Sequence, residues 1–264
     1  MKFYVSVDME GIAGVVLREQ LVKGEILYEE TRKILTAEVN AVVDKLVDLG
    51  AKEIIVKDAH GRGFNFVVED LHEQARYVLG ASRMDNRFPG IDNSFDGALL
   101  IGYHAMAGTR QAVRDHTMVA NDWQSIELNG LPIGEIGLDA LLFGLYDVPV
   151  IFVSGDRTAC KEARRDLHDV TTYETKEAVG RHAALIKPPK TVRREIQQSI
   201  EEAVLKKRQC IPYKKNGPFE LKMTFASTDL ADTRNYDGIT SFRVDGTSAM
   251  YHDDDLVRLL AKSM

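Results

Sequence analysis

Hydrophobic and polar positions alternate at two different periods along this chain. Phe3 to Val7 is a short aromatic and β-branched run that predicts a buried opening strand. Leu35, Val39, Val42, Val43, Leu46 and Leu49 recur mostly at spacings of three and four, one apolar stripe on a helix from about Glu25 to Leu49. Gly50 follows where a left-handed helix terminator belongs. Ile54 to Val56, Ala98 to Ile101 and Val150 to Val153 read as three further core strands, and Ile136 to Leu145 as a short, almost wholly apolar helix. Trp123 to Leu128 predicts a hairpin arm, with Asn129-Gly130 as its turn.

Strands alternating with helices over the first ~160 residues predict an α/β fold, a mostly parallel sheet flanked by helices. The pattern changes after Pro188-Pro189. A polar helix over about Thr191 to Arg208 is followed by a break at Asn216-Gly217-Pro218. Phe219, Leu221, Met223 and Phe225 then alternate with polar residues, as in a half-exposed strand, with Ile239 to Val244 as its expected partner. A short helix over about Asp254 to Lys262 closes the chain. The expected division is therefore an α/β catalytic domain over 1–189 and a smaller C-terminal α+β subdomain over 190–264.

Composition adds exclusions. The 264 residues are 44% hydrophobic and 28% charged, ordinary for a globular chain. A net charge of −6 disfavours nucleic acid as a partner. Lys206, Lys207 and Arg208 form the densest basic stretch, but at a predicted helix end they simply complement the helix dipole. Only two cysteines, Cys160 and Cys210, stand far apart, which fits a reducing cytoplasm. MKFYVSVDME lacks a signal-peptide core, and no apolar run approaches the ~20 residues that span a bilayer. A cytoplasmic protein without membrane contact is expected.

Three of the predicted strands end in residues that bind metals. The first gives Asp8 and Glu10, the second Asp58 and His60, the third His104. Open parallel sheets collect ligands beyond the carboxyl ends of their strands, so these residues are expected to converge. Neighbouring buried carboxylates repel, and a divalent cation removes that repulsion. Carboxylates mixed with imidazoles suit zinc better than magnesium or calcium. Glu135, between Gly134 and an apolar helix, is a fifth candidate. Five ligands exceed one open tetrahedral site but fit two metals sharing a carboxylate, with Asp8 the natural bridge. His116 is placed beside the metals, in a catalytic role, and Asp58 is placed to orient a ligand. Singly, each has a plainer reading: a turn, a helix cap or a core histidine. His72, His168 and His182 are read as surface residues, and His252 with Asp253 to Asp255 as a helix cap. No phosphate-binding glycine loop and no GxSxG elbow is present.

SVDMEGIAG, VKDAHG, GYHAMAG and NGLPIGEIGLDA, in this order, resemble the D-aminopeptidase family of zinc peptidases through about residue 170. The resemblance implies two zinc ions per chain on Asp8, Glu10, His60, His104 and Glu135, with Asp8 bridging, and His116 as the catalytic histidine. It further implies release of N-terminal D-amino acids such as D-Ala from small peptides, in a homo-decamer of two stacked pentameric rings. The alternatives are another dinuclear metal amidohydrolase, a phosphoesterase on the same metal pair, and a non-catalytic zinc- or peptide-binding protein.

Overall fold

The computed structural model describes all 264 residues. In chain order the regular elements are β1 (Lys2–Val7), α1 (Tyr28–Asp48), β2 (Glu53–Asp58), β3 (Arg76–Val78), β4 (Gly97–Tyr103), β5 (Trp123–Leu128), β6 (Leu131–Pro132), α2 (Glu135–Gly144) and β7 (Val150–Asp156). Next come α3 (Arg157–Asp166), β8 (Thr171–Gly180), β9 (Ala183–Ile186), α4 (Pro189–Lys206), β10 (Phe219–Phe225), α5 (Thr228–Asp232), β11 (Ser241–Arg243), β12 (Ser248–Asp253) and α6 (Leu256–Ser263). No helix is long and apolar enough to cross a membrane.

A seven-stranded sheet in the order β3-β2-β1-β4-β7-β8-β9 forms the centre. All its pairings are parallel except that of the edge strand β9 with β8. Side-chain alternation along β1 explains how both faces are covered. Phe3, Val5 and Val7 join a core formed with the apolar stripes of α1 and α4. Tyr4 points the other way, into a second core shared with α2, β5, β10 and α6. The parallel strands are thus buried on both sides, as their continuous apolar runs require.

β11-β12-β10-β5-β6 form a second, antiparallel sheet. Its register pairs Leu221 with Leu128 and Met223 with Ile126. The sheets therefore do not divide at residue 190: β5 and β6, from the first part of the chain, complete the second sheet. In the other direction, Val192, Ile196 and Ile200 of α4 pack into the α1 core. Pro188-Pro189 starts α4, with proline at its first position, where the missing N–H has no intrahelical partner to lose. The expected pairing of residues 239–244 with β10 is also replaced. β12 lies between them, paired to β10 on one side and to β11 on the other.

Candidate metal centre

Parallel pairing of β1 with β2 and β4 puts three strand ends side by side. The chain leaves β1 at Val7, and Asp8 N–H still donates to Ile101 O of β4 at 2.8 Å. Ala59 N–H donates to Val7 O at 2.7 Å, carrying the segment after β2 to the same edge. Gly11 closes the gap on the other side. Its N–H donates to Gly102 O at 2.7 Å, and a Cβ on Gly11 would stand 2.1 Å from Tyr103 O. Only glycine allows that approach, which brings the Asp8–Glu10 turn against the end of β4. Glu135 arrives separately as the first residue of α2. His116 comes from the loop after β4, held by its N–H to Ala105 O at 3.3 Å.

Asp8, Glu10, His104 and Glu135 are all buried, and His60 and His116 are partly so. Each imidazole is fixed in the same manner. His60 Nε2 lies 3.1 Å from Leu21 O, His104 Nδ1 3.0 Å from Ala105 O, and His116 Nδ1 2.9 Å from Arg114 O. A carbonyl only accepts, so each of these nitrogens carries the proton. The other nitrogen of each ring turns to carboxylates. His60 Nδ1 stands 3.0 Å from Asp8 Oδ1 and 3.1 Å from Glu10 Oε2. His104 Nε2 stands 3.3 Å from both Asp8 Oδ2 and Glu135 Oε1. His116 Nε2 is 3.8 Å from Glu135 Oε1, and its ring stacks on His104 at a centroid distance of 3.9 Å.

His104 Nε2 and Asp8 Oδ2 are buried with no hydrogen-bond partner. Two sets of donor atoms, Asp8/Glu10/His104 and His104/His116/Glu135, each lie within 4.8 Å of one another. Burial opposes charge on these groups, yet their mutual attraction wins. The carboxylates of Glu10 and Asp8 hold His60 well above its ordinary value, and Glu135 and Asp8 do the same for His104. In return His104 and His60 hold Asp8 well below the carboxylate range, and His104 and His116 bring Glu135 down to about 2.

Around this cluster lie Asp58 and several residues that spacing did not reveal. Asp58 does not touch the His60 ring. It accepts from Asn65 N–H at 2.5 Å and Asn65 Nδ2 at 2.8 Å, and Asn65 Nδ2 also donates to His60 O, so Asp58 shapes the loop rather than the imidazole. Lys176 is buried, and its Nζ donates to Glu10 O, Ile12 O and Val15 O at 2.5, 2.7 and 2.6 Å. Arg87 makes a bidentate pair with the fully buried Asp139, which also accepts from Tyr103 Oη at 2.5 Å. A cavity of about 350 Å3 opens over the cluster, lined by Asp8, Glu10, His60, His116 and Glu135 and by Arg18, Arg87 and Arg114. A larger cleft, about 610 Å3, lies on the antiparallel sheet between Asn129, Glu220 and His252, and none of its residues belongs to the two donor sets.

Comparisons with known proteins place the chain as a whole. The family model described as D-aminopeptidase matches residues 1–262, well beyond the segment that carries the four motifs. A D-aminopeptidase of Bacillus subtilis is 33% identical over 97% of this chain and 93% of its own length. Among solved structures, the Zn-dependent D-aminopeptidase DppA from Bacillus subtilis, a self-compartmentalizing protease, superposes with a TM-score of 0.91 at 31% identity, covering 100% of this chain and 99% of that one. On a match of that extent, the chain belongs to the D-aminopeptidase family of peptidases.

Proposed function

We propose that this aminopeptidase releases the N-terminal D-amino acid from short peptides, using two zinc ions held by Asp8, Glu10, His60, His104 and Glu135, with Asp8 shared between them. One observation carries the reading. Three imidazoles each donate one ring N–H to a backbone carbonyl and turn the other nitrogen on a cluster of carboxylates. Backbone-anchored imidazoles of this kind are what metal ligation requires, since the anchor fixes tautomer and ring direction. A cation between Asp8 Oδ2 and His104 Nε2 would satisfy both orphaned atoms, so the residues present fit zinc. The zinc dependence and the D-aminopeptidase activity of the similar proteins support the same assignment.

Bound zinc supplies a Lewis acid for the scissile carbonyl and a water whose pKa is lowered toward 7. The chain does the rest. With its three carboxylates occupied by two zinc ions, the cluster would carry no excess negative charge, so the peptide's N-terminus would enter as the free amine. His116 keeps its proton on Nδ1 through Arg114 O, which leaves Nε2 free to take or deliver a proton at the reacting centre. Assembly into stacked pentameric rings is part of the proposal. It is supported by the self-compartmentalizing nature of the similar structure and by apolar side chains left exposed on β8, β9 and α4, with Val179 74%, Leu185 69% and Leu205 77% exposed. Two buried free cysteines fit use in the cytoplasm.

The test is metal analysis of the purified protein together with kcat/KM on paired D-Ala and L-Ala peptides. Two zinc ions per chain and a D preference are expected. Zinc-free protein with full activity, or a preference for the L peptides, overturns the reading. A second arrangement has its own support, because His116 lies within one of the two donor sets. If His116→Ala removes zinc as well as turnover, His116 is a ligand rather than a proton carrier.

A further inference from the structure

We propose that Arg114 binds the C-terminal carboxylate of the substrate, so that the cavity selects short peptides, dipeptides first, with a free C-terminus. The inference rests on the aminopeptidase reading and assigns the opposite end of the same substrate.

Three arginines line the cavity. Arg18 is paired with Glu25 at 3.1 Å, and Arg87 is engaged bidentately by Asp139. Arg114 forms no salt bridge with any carboxylate within 4.0 Å. Its one side-chain hydrogen bond is Nη1 to His182 Nδ1, at 3.5 Å, and its Nε is buried with no partner. A guanidinium partly withdrawn from water and left without an anion is unfavourable unless a ligand supplies one. The fork of a guanidinium matches a carboxylate with two parallel hydrogen bonds, which a lysine cannot reproduce.

The backbone argues in the same direction. Arg114 has φ 54°, in the left-handed region, and Gln111 and Met118 in the same loop have φ 55° and 60°. Non-glycine residues held there concentrate at ligand sites, where surrounding contacts overrule the local preference. Those contacts exist: Arg114 N–H donates to Arg181 O at 3.1 Å, and the Arg181 side chain is clamped to Asp115. His116, two residues on, donates to the Arg114 carbonyl. The group that would hold the peptide's tail and the group that would move the proton therefore share one braced segment. With the N-terminal amine at the metal cluster and the C-terminal carboxylate at Arg114, substrate length is set by the space between. A cavity of about 350 Å3 is near the small end of ligand sites, and each residue adds ~3.5 Å of reach.

The experiment compares D-alanyl-D-alanine with its C-terminal amide, by kcat/KM and by titration calorimetry, in wild type and Arg114→Gln. Wild type is expected to favour the free acid by about 10- to 100-fold, mostly through KM, the range for a hydrogen bond to a charged group. In Arg114→Gln that ratio should fall toward one. Equal kcat/KM for acid and amide in wild type overturns the proposal without reference to any variant, as does an acid preference that survives Arg114→Gln. A wild type that cleaves neither peptide sinks the aminopeptidase reading instead. Calorimetry then still decides the carboxylate site: tighter binding of the acid, lost in Arg114→Gln, supports it, and equal affinity for acid and amide overturns it.

Discussion

Replacing Lys176 with methionine keeps the methylene packing and removes only the ammonium that gathers three carbonyls of the Asp8–Val15 turn. Glu10 O, Ile12 O and Val15 O each lose a donor at 2.5–2.7 Å. A buried acceptor left unsatisfied costs about 1–3 kcal/mol, so three of them cost about 3–9 kcal/mol. Against this, the lysine itself is held at a disadvantage. Burial pushes its pKa down from 10.5 to about 8, and removing the group returns about 3 kcal/mol. The middle of the range leaves Lys176→Met less stable by about 3 kcal/mol. At an m-value of about 3 kcal/mol/M, the urea midpoint falls by about 1 M with unchanged slope, measured at fixed protomer concentration. The turn also carries Asp8 and Glu10, so zinc retention should weaken in the same variant. An unchanged midpoint together with unchanged zinc content would show that the three hydrogen bonds do not hold the turn.

Other outcomes follow from the same contacts. Asp8→Asn removes the carboxylate that faces both His60 and His104, and is expected to lose zinc and all measurable turnover by metal analysis and peptide assay. His116→Ala should lower kcat by about 10²- to 10⁴-fold, the usual contribution of a positioned proton carrier, while zinc content stays near that of wild type. Glu38 is fully buried, with Oε2 accepting from Ala13 N–H at 3.1 Å and Oε1 unpartnered. Burial raises its pKa from 4.5 to about 7. The folded state therefore holds a proton that the unfolded state releases, and wild-type stability contributed by this group is lost as pH rises from about 4.5 through about 7. Glu38→Gln should gain up to about 3 kcal/mol over wild type at pH 8 relative to pH 5. Parallel stability curves for the two proteins would exclude a buried, titrating Glu38.

The cluster of Asp8, Glu10, His60 and His104 was legible because parallel strands end together, and the sequence shows where each apolar run stops. Glu135 and His116 lie outside the strand-end pattern: Glu135 is marked by its place between Gly134 and an apolar helix, His116 is the remaining candidate, and the motif resemblance implies the same roles. Arg87 and Arg114 were not legible. An arginine in a loop has no periodic signature, and what distinguishes these two is tertiary: Arg87 meets Asp139, while Arg114 meets no carboxylate. The partition of the sheets was hidden for a similar reason. Trp123 to Leu128 read correctly as a strand, but nothing local says that its hydrogen bonds go to residues 221–225 rather than to the parallel sheet. The edge pair β8–β9 escaped notice because β8 buries polar Thr175 and Lys176 beside Tyr173 and Ala178, and β9 is largely exposed, so neither carries a clean apolar alternation.

How the buried cations are used bears on why the carboxylates are where they are. Lys176 and Arg87 both lie close enough to have been aimed at the site. A fold needing only charge balance would have spent their hydrogen bonds on Glu10 and Glu135. Instead Lys176 spends its three donors on backbone carbonyls, and Arg87 is engaged by Asp139, standing 3.9 Å from Glu135. Asp8 and Glu135 each receive a single backbone N–H, from Met9 at 2.8 Å and from Met118 at 2.7 Å, and Glu10 receives none. Each buried carboxylate so treated is destabilising in isolation. The arrangement makes physical sense when the cations of the chain build the walls and the carboxylates are kept for a cation that the chain does not encode.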